Sequence, residues 1–227
     1  MNQKSDSGGE FEGKVALITG GARGIGKSIA LALGNRGARL ALNDVSESEL
    51  RKTVEECRKA GIDCEGFVAD ISSAEAVGRM VEDILPRMSK IDILVNNAGI
   101  ATPTDFLNLG ELEWDRLLSV NLKGAFFLTQ KVIADMLSRK SEGRIIMIAS
   151  VAGKSGGVAT SLAYDVSKAG MIVMARSLAR RYSKEGITVN AVAPSFVDTS
   201  MLGDLNLLDS KEELTKLNVI PRLAMPD

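Results

Sequence analysis

Residues 15–26 read VALITGGARGIG and combine a short apolar run, a glycine-rich turn and the start of an amphipathic helix. A strand, a tight turn and a helix N-terminus in this order form a backbone cradle for a pyrophosphate group. A side chain at Gly20, Gly24 or Gly26 would block the approach of the backbone or the packing of helix on strand. The spacing G-x-x-x-G-x-G departs from the usual G-x-G-x-x-G, so an ordinary structural turn is the alternative for these residues alone.

The alternation of apolar runs and amphipathic stretches continues outward from this turn. The runs predicted to be strands are Val15–Ile18, Leu40–Leu42, Gly66–Ala69, Ile91–Val95, Arg144–Ala149 and Thr188–Ala193. Helices are predicted after Gly24, over about Glu47–Ala60 and Ser73–Arg87, after Asn121, and over about Leu162–Lys184. The runs lack polar alternation, as expected of parallel strands covered on both faces. The sequence therefore predicts an α/β fold, a single Rossmann-like domain with a doubly wound parallel sheet in three αβα layers.

Composition narrows the functional classes. The chain of 227 residues is 45% hydrophobic and 25% charged, with a formal net charge of −1. This balance gives no sign of nucleic acid or an anionic membrane as a partner. No run reaches the roughly 18 apolar residues of a bilayer span, and the polar N-terminus is unlike a signal peptide, so we expect a cytoplasmic protein. The chain has no histidine, which excludes histidine metal sites and Ser-His-Asp catalysis, and we predict no metal.

Asp44 stands at the end of the second predicted strand and bears on the choice of coenzyme. A carboxylate there can accept hydrogen bonds from the hydroxyls of an adenosine ribose and would repel a 2′-phosphate. Arg23 in the turn acts in the opposite sense, because a guanidinium can pair with that phosphate. Asp44 carries more weight, since a phosphate dianion beside it would cost energy that Arg23 would have to offset. NAD(H) is therefore favoured, and NADP(H) stays open.

Tyr164 and Lys168 are the strongest candidates for proton transfer. Their i,i+4 spacing at the start of the fifth predicted helix places both on one helix face. The pKa of a free tyrosine is about 10. An ammonium within a few ångströms would lower the pKa of the phenol and make it a usable general acid/base near neutral pH. A surface tyrosine–lysine pair is the alternative for these two residues taken alone.

Over residues 13–200 the chain resembles the short-chain dehydrogenases/reductases. The matching motifs stand in the family's order: Thr19-Gly20-x-x-x-Gly24-Ile25-Gly26, Asp70, Asn96-Asn97-Ala98-Gly99, Asn121, Ser150, Tyr164-x-x-x-Lys168, and Asn190 before Pro194. Each motif alone is unspecific, whereas the ordered set is highly specific. The resemblance implies hydride transfer between NAD(P)(H) and a secondary alcohol or ketone. Reductases of 3-oxoacyl thioesters and dehydrogenases of secondary alcohols or sugars are both open.

The resemblance also assigns four catalytic roles. Tyr164 would donate a proton to the carbonyl oxygen in reduction or remove it in oxidation, and Ser150 would hydrogen-bond that oxygen. Lys168 would hold the nicotinamide ribose and lower the tyrosine pKa, and Asn121 would anchor a water that links Lys168 to solvent. A turn serine and a helix N-cap are the plainer readings of Ser150 and Asn121. A catalytically silent protein that senses the dinucleotide is the alternative function, and it predicts damage to residues that are all intact.

The resemblance places the coenzyme against the loops that follow the predicted strands. The residues expected at the phosphates and the adenosine ribose are Gly20, Arg23, Gly24, Ile25, Gly26 and Asp44. Those expected at the adenine ring and beneath the adenosine are Asp70, Ile71, Asn97, Ala98 and Gly99. Those expected at the nicotinamide and its ribose are Tyr164, Lys168, Pro194, Val197 and Thr199.

Two local features depart from the family pattern. Ser195 follows Pro194 where glycine is usual, which the backbone tolerates unless a positive φ is required. The interval from Ser150 to Tyr164 is one residue longer than the commonest arrangement. A neighbour such as Ser155, or a reshaped loop, could therefore contribute to the site.

The two ends of the chain carry further expectations. The chain stops at Asp227, where the resemblance implies another helix and a last strand. Residues 13–227 are therefore expected to form one dinucleotide-binding catalytic domain that lacks both, after a flexible lead-in over residues 1–12.

The apolar stretch Thr199–Asn218 would act as a lid over a neutral or apolar substrate, although ordinary helix packing is the plainer reading. The resemblance also implies a homodimer or homotetramer that pairs the fourth and fifth predicted helices.

Overall fold

A computed structural model describes residues 9–157, 159–205, 215 and 222–226. The strands are β1 (Val15–Thr19), β2 (Arg39–Asp44), β3 (Cys64–Val68), β4 (Ile93–Asn96), β5 (Gly143–Ile148) and β6 (Ile187–Val192). All paired strands are parallel, and their order in the sheet is β3-β2-β1-β4-β5-β6. The order reverses between β1 and β4, and sheets of this kind bind ligands in the crevice at the carboxyl ends of such strands.

Helices cover both faces of the sheet. Those in the described residues are α1 (Gly24–Gly34), α2 (Glu47–Lys59), α3 (Ala74–Met88), α4 (Glu111–Leu118), α5 (Ala125–Ser138), α6 (Ala152–Ser155), α7 (Leu162–Tyr182) and α8 (Ser200–Asp204). Short 3₁₀ turns lie at Phe106–Asn108 and Ser183–Glu185, and a π-helical segment lies at Ser119–Gly124. One core cluster joins the sheet to α3, α5 and α7, and a second joins it to α1 and α2.

The lack of polar alternation in the central strands follows from this layering. In β1, Leu17 points into the first core cluster and its neighbour Ile18 into the second, so both faces need apolar residues. The edge strand β6 differs, because Ile187 and Val189 are buried while the residues between and after them are exposed. The predicted α/β fold, with a doubly wound parallel sheet in three layers, is confirmed.

The path between β4 and β5 differs from the sequence prediction. A helix was predicted to begin after Asn121, whereas α4 and the π-helical segment already occupy residues 111–124 and lead directly into α5. Asn121 therefore lies inside a helical path and does not cap a helix. The pattern missed α4 because it is short and buries a single residue, Leu117, so its periodicity is weak.

The N-terminal boundary of the fold lies before residue 13. Residues 9–12 form a turn in which the Phe11 N–H donates to the carbonyl of Arg36 at 2.9 Å. The Phe11 side chain packs against the second core cluster. This part of the expected lead-in is therefore held against the fold, and residues 1–8 lie outside the described residues.

We expect Leu94→Ala to lower the free energy of unfolding by about 2–5 kcal/mol, because the truncation leaves a cavity that rigid neighbours cannot fill. Leu94 lies in the central strand β4 and is 0% exposed. The measurement is urea denaturation followed by circular dichroism. Leu107→Ala is the matched control: this leucine is 87% exposed, and its loss should change stability by less than about 0.5 kcal/mol. Equal stability of the two variants would contradict the placement of Leu94.

Candidate active site

The turn between β1 and α1 is shaped by glycines that have no room for a side chain. Gly20 and Gly24 have φ angles of 61° and 53°, in the left-handed region. A Cβ on Gly20 would lie 2.9 Å from the Ala98 Cα, and a Cβ on Gly26 would collide with the carbonyl oxygen of Gly20. The first turn of α1 carries no acidic residue, so its free N–H groups and dipole suit an anion. These residues fit the pyrophosphate of a dinucleotide.

Hydrogen bonds of Thr19 and Asn97, which we call the polar bracket, join this turn to the loop after β4. The Thr19 hydroxyl accepts hydrogen bonds from the N–H groups of Asn97 and Ala98, each at 3.1 Å. The Asn97 amide in turn donates to the carbonyls of Thr19 at 2.9 Å and Gly20 at 3.1 Å. Thr19 belongs to the motif that carries the family resemblance, but sequence reasoning assigned it no role, although a hydroxyl at the end of an apolar strand was a usable signal. The bracket holds the two central loops as one unit.

The two residues that bear on coenzyme choice both lie at this turn. The Asp44 carboxylate accepts hydrogen bonds from the N–H groups of Ala22 at 3.2 Å and Ser46 at 3.1 Å. Its position at the end of β2 is therefore fixed by the backbone on either side. Arg23 is the exposed residue that precedes α1, with an extended backbone at φ −154°.

The loop after β3 meets the sequence prediction only in part. Asp70 is exposed, and its carboxylate accepts a hydrogen bond from the Ser72 N–H at 2.9 Å. Ile71 is 6% exposed and belongs to the first core cluster. The Ile71 side chain therefore packs into the core, and its contact with the adenine ring stays a prediction that only its backbone could fulfil. Val45 and Val68, which the sequence prediction did not include, expose apolar surface at the ends of the neighbouring strands β2 and β3.

Lys168 is a buried cation in α7. It is 3% exposed, and its Nζ donates to the carbonyl of Ile148 at the end of β5 at 2.8 Å. Burial lowers the pKa of Lys168 to about 8. The Nζ lies 5.7 Å from the centre of the Tyr164 ring, so the two residues share one face of the helix as predicted.

The pKa of Tyr164 corrects one expectation. The ring is 8% exposed, and its burial raises the pKa of the phenol above the ordinary value. A hydrogen bond with the Ser150 side chain acts in the lowering direction, and the nearby charge of Asp165 raises the pKa further. Lys168 was expected to lower this pKa, but in this structure its ammonium points to a backbone carbonyl and burial dominates. The phenol is therefore protonated at neutral pH.

Asn121 is fully buried in the π-helical segment beside Lys168. Its side-chain oxygen accepts from the Ile100 N–H at 2.8 Å, and its amide donates to the Ile100 carbonyl at 2.9 Å and the Ser167 hydroxyl at 3.0 Å. A Cβ on Gly99 would lie 3.2 Å from the Asn121 side-chain oxygen and 3.3 Å from Lys168 Nζ. Both side-chain N–H groups of Asn121 are thus already bonded within the protein. Asn121 could therefore hold a water only by accepting a hydrogen bond from it.

Ser150, Tyr164 and Lys168 all line a cavity of about 340 Å³ at the carboxyl edge of the sheet. The predicted site residues that line it are Ile25, Asn97, Ser150, Tyr164, Lys168, Pro194, Val197 and Thr199. The lining residues that sequence reasoning did not assign to the site include Ala101, Ala152, Thr160 and Phe196. Met201, Leu202 and Leu205 of the expected lid also line it, while residues 206–214 and 216–218 lie outside the described residues. The other predicted coenzyme residues lie around the remaining strand ends.

The two departures from the family pattern are accommodated locally. Ser195 needs no positive φ, because the described non-glycine residues with positive φ are Ser89 and Lys140. The longer interval before Tyr164 is taken up by the one-turn helix α6 and the loop that follows it. Ser155 lines the cavity, but its hydroxyl donates to the Val151 carbonyl at 3.1 Å and so is bound within its own turn.

The described residues contain neither a candidate metal cluster nor a candidate membrane-spanning helix. No group of three or more histidine, cysteine, aspartate or glutamate side chains in these ranges could hold a metal ion. None of the helices described here combines the length and the apolar character that a bilayer span requires. Cys57 and Cys64 are both buried free thiols.

The chain is similar to known proteins along most of its length. The family described as short chain dehydrogenase matches residues 14–209. The (2S)-[(R)-hydroxy(phenyl)methyl]succinyl-CoA dehydrogenase subunit BbsD of Thauera aromatica is 41% identical over 96% of this chain and 86% of its own length. The 3-oxoacyl-[acyl-carrier-protein] reductase FabG of Staphylococcus aureus is 38% identical over 90% of this chain and 82% of its own.

A solved structure extends the likeness to three dimensions. An actinorhodin polyketide ketoreductase with NADPH superposes with a TM-score of 0.88 and 33% identity, over 94% of this chain and 85% of its own. The chain belongs to the short-chain dehydrogenase/reductase family. It is an NAD(P)-dependent oxidoreductase that acts on ketone or alcohol substrates, and nothing favours a catalytically silent sensor.

We expect Gly26→Ala to weaken NADH binding at least about tenfold and to cost about 1–3 kcal/mol of stability, because the new methyl group overpacks the glycine turn. Titration of NADH fluorescence and urea denaturation measure the two effects. Gly78→Ala is the matched control, since this glycine also lies in a helix but a Cβ there meets nothing within 4 Å. The control should bind NADH normally and gain about 0.5–1 kcal/mol. Normal binding by Gly26→Ala would refute the close approach.

Proposed function

We propose that the protein interconverts 3-oxoacyl and 3-hydroxyacyl thioesters, with Tyr164 as the proton donor and acceptor and with NAD(H) as the preferred coenzyme. The observation that carries this proposal is the meeting of Tyr164, Ser150 and Lys168 at one cavity whose described lining is otherwise mostly apolar. The reaction class follows from the family, and the thioester substrate and the coenzyme preference are inferred here.

The cavity lining supports an acyl substrate. Lys168 is the charged side chain among the described lining residues, and its ammonium is already bonded to the Ile148 carbonyl. Phe196, Met201 and Leu202 offer apolar surface against which a hydrocarbon chain gains free energy on burial. A sugar lying against this apolar surface would bury hydroxyl groups without hydrogen-bonding partners, at a cost in free energy. The names of both relatives, a 3-oxoacyl-[acyl-carrier-protein] reductase and a (2S)-[(R)-hydroxy(phenyl)methyl]succinyl-CoA dehydrogenase subunit, contain acyl thioesters and so support this class of substrate.

The side chains of the site suit proton transfer to a carbonyl oxygen. A bound nicotinamide would supply the hydride in reduction and accept it in oxidation. The Tyr164 phenol holds its proton at neutral pH and can donate it to the substrate oxygen, which the Ser150 hydroxyl would also hydrogen-bond. Lys168 can hold the ribose of the coenzyme and pass a proton toward the phenol, since burial has brought its pKa to about 8. Asn121 and an associated water would complete that relay.

The coenzyme proposal rests on the fixed carboxylate of Asp44. Two backbone N–H groups hold it at the end of β2, where the adenosine ribose is expected. A 2′-phosphate would be repelled there, whereas ribose hydroxyls could donate to it. Arg23 nearby gives NADP(H) partial compensation. The exposed valines Val45 and Val68 are proposed to contact the adenine ring, together with Asp70 and the backbone of Ile71.

The protein is proposed to act as a cytoplasmic homodimer or homotetramer with no nucleic acid or membrane partner. Support for self-association comes from apolar side chains on the outer surfaces of α5 and α7. Phe126 is 47% exposed and Val173 is 62% exposed. Surface of this kind gains free energy when a second copy covers it.

We expect Tyr164→Phe to reduce kcat for acetoacetyl-CoA reduction by about 10²–10⁴-fold, because the general acid is removed while the ring remains. Steady-state assays at 340 nm measure the loss, and NADH fluorescence should show an unchanged Kd. Tyr182→Phe is the matched control, since Tyr182 packs beside the core at the far end of α7. The control should retain parental turnover. Full activity in the Tyr164 variant would remove Tyr164 from the mechanism.

We expect Asp44→Ala to reduce the ratio of kcat/KM for NADH over NADPH by at least about tenfold, which corresponds to about 1.4 kcal/mol of lost discrimination. The reason is the loss of both the ribose hydrogen bonds and the repulsion of a 2′-phosphate. Asp63→Ala is the matched control, because Asp63 pairs with Arg39 at the opposite end of β2. An unchanged coenzyme ratio in Asp44→Ala would show that another residue makes the choice.

A further inference from the structure

A buried carboxylate lies directly behind one wall of the cavity. The wall is formed by Gly156, Gly157, Ala159 and Thr160, which we call the substrate-facing loop. Asp165, in the first turn of α7, is 7% exposed. Its carboxylate accepts hydrogen bonds from the Gly157 N–H at 2.7 Å and the Thr160 hydroxyl at 2.9 Å.

The loop is wrapped tightly around this carboxylate. A Cβ on Gly157 would lie 2.6 Å from the Thr160 hydroxyl oxygen and 2.8 Å from a carboxylate oxygen of Asp165. Any side chain at position 157 would therefore push the loop away from the helix. The geometry requires both a glycine and a short acidic side chain, because the hydrogen bonds are made at close range.

The burial of this charge is not accounted for by an ion pair. The ion pairs of the described residues involve other carboxylates, and the hydrogen bonds of Asp165 come from an uncharged N–H and a hydroxyl. Burial of a carboxylate without a cation is costly, and stability alone is a weak reason for such an arrangement. The two hydrogen bonds and the position of Asp165 in the first turn of α7 offset part of this cost, and the hydrogen bonds fix the loop to the helix.

A second anchor holds Ser161, the residue that follows this loop, to the segment after β4. The Ser161 N–H donates to the Thr102 carbonyl at 2.7 Å, and the Thr102 hydroxyl donates to the Ser161 hydroxyl at 3.0 Å. Asp165 follows Tyr164 directly in the helix, so its carboxylate links the loop to the element that carries the phenol. The loop shape and the position of the phenol are therefore coupled through one side chain.

We propose that Asp165 is a positioning residue that holds the substrate-facing loop against the helix bearing Tyr164, and thereby sets how well long acyl chains bind beside the phenol. This inference rests on the proposed thioester function. An acyl chain long enough to lie along the loop depends on the loop being held, whereas a short chain ends before reaching it. We call the two hydrogen bonds from the loop to Asp165 the clasp. Loss of the clasp should therefore raise the KM selectively for thioesters with a long acyl chain.

The test compares acetoacetyl-CoA with 3-oxodecanoyl-CoA in the full-length enzyme. For Asp165→Asn, whose amide cannot accept from both donors, we expect the KM for the long thioester to rise about tenfold and that for the short one about twofold. The kcat should stay within threefold of the parent and the NADH Kd within twofold. Asp63→Asn, an exposed carboxylate in an ion pair, is the matched control and should leave all four values unchanged.

A second pair of variants tests the clasp without altering the buried charge. Thr160→Val removes the hydroxyl, and we expect it to raise the KM for the long thioester about threefold. Thr160→Ser keeps the hydroxyl and should restore the parental KM. If Asp165→Asn fails to fold, these two variants of Thr160 test the proposal on their own. Equal KM ratios in the valine variant, the serine variant and the parent would overturn the proposal.

The pH profile reports the charge of Asp165 separately from its hydrogen bonds to the loop. The charge of Asp165 raises the pKa of Tyr164, so its removal should move the alkaline rise of alcohol oxidation to lower pH. Among the described residues, the Lys168 ammonium also lies beside the ring, the Ser150 side chain hydrogen-bonds the phenol, and Leu117 of α4 and Ala152 of α6 share its apolar cluster. Thr160→Val leaves these charges in place and should leave the profile unmoved.

Hydrogen–deuterium exchange makes the result independent of turnover. The amide of Gly157 should exchange at least about fivefold faster in Asp165→Asn than in the parent, since its acceptor is weakened. If the parent binds NADH but reduces neither thioester, the proposed function fails while the exchange data still test the clasp. Unchanged exchange at Gly157 together with unchanged KM ratios would overturn the inference.

Discussion

The site depends on how closely α1 packs against the end of β1. Gly26 lies so near the carbonyl oxygen of Gly20 that only a hydrogen atom fits between the two backbones. This approach brings the N-terminus of α1 to the point where the strand order reverses. Asn97 then uses its amide to bind the carbonyls of Thr19 and Gly20. The cradle for the phosphates and the loop after β4 are therefore joined by hydrogen bonds.

Burial shifts the pKa values of Tyr164 and Lys168, the proposed catalytic pair. Removal from water disfavours the charged form of each group, so it raises the pKa of the Tyr164 phenol and lowers that of the Lys168 ammonium. The phenol keeps its proton for donation, and the amine releases its proton more easily than a free lysine would. The bond from Lys168 to the Ile148 carbonyl sets the direction of the side chain. In this structure the Lys168 ammonium is held by that bond and does not lower the pKa of the Tyr164 phenol.

The proposed coenzyme half and the proposed substrate half of the site are built differently. The coenzyme half is built from backbone carbonyls, N–H groups and glycines, which leaves little freedom for variation. The substrate half is built from side chains and a loop whose shape depends on the buried carboxylate of Asp165. Loops of this kind carry specificity because a rigid sheet supports them while their own sequence is free to change. Family membership therefore defines the reaction class, and the substrate half defines which ketone enters.

The sequence by itself determined the layered α/β fold, the glycine turn and the helical pairing of Tyr164 with Lys168. These features depend on short-range spacing, which sets the face of a helix or the room in a turn directly. The tertiary structure alone decided the helical path around Asn121, the burial of Ile71 and the upward direction of the Tyr164 pKa. It also decided the contact of Asp165 with its loop. Burial and pKa depend on groups from distant elements, and no local pattern in the chain encodes which of them come together.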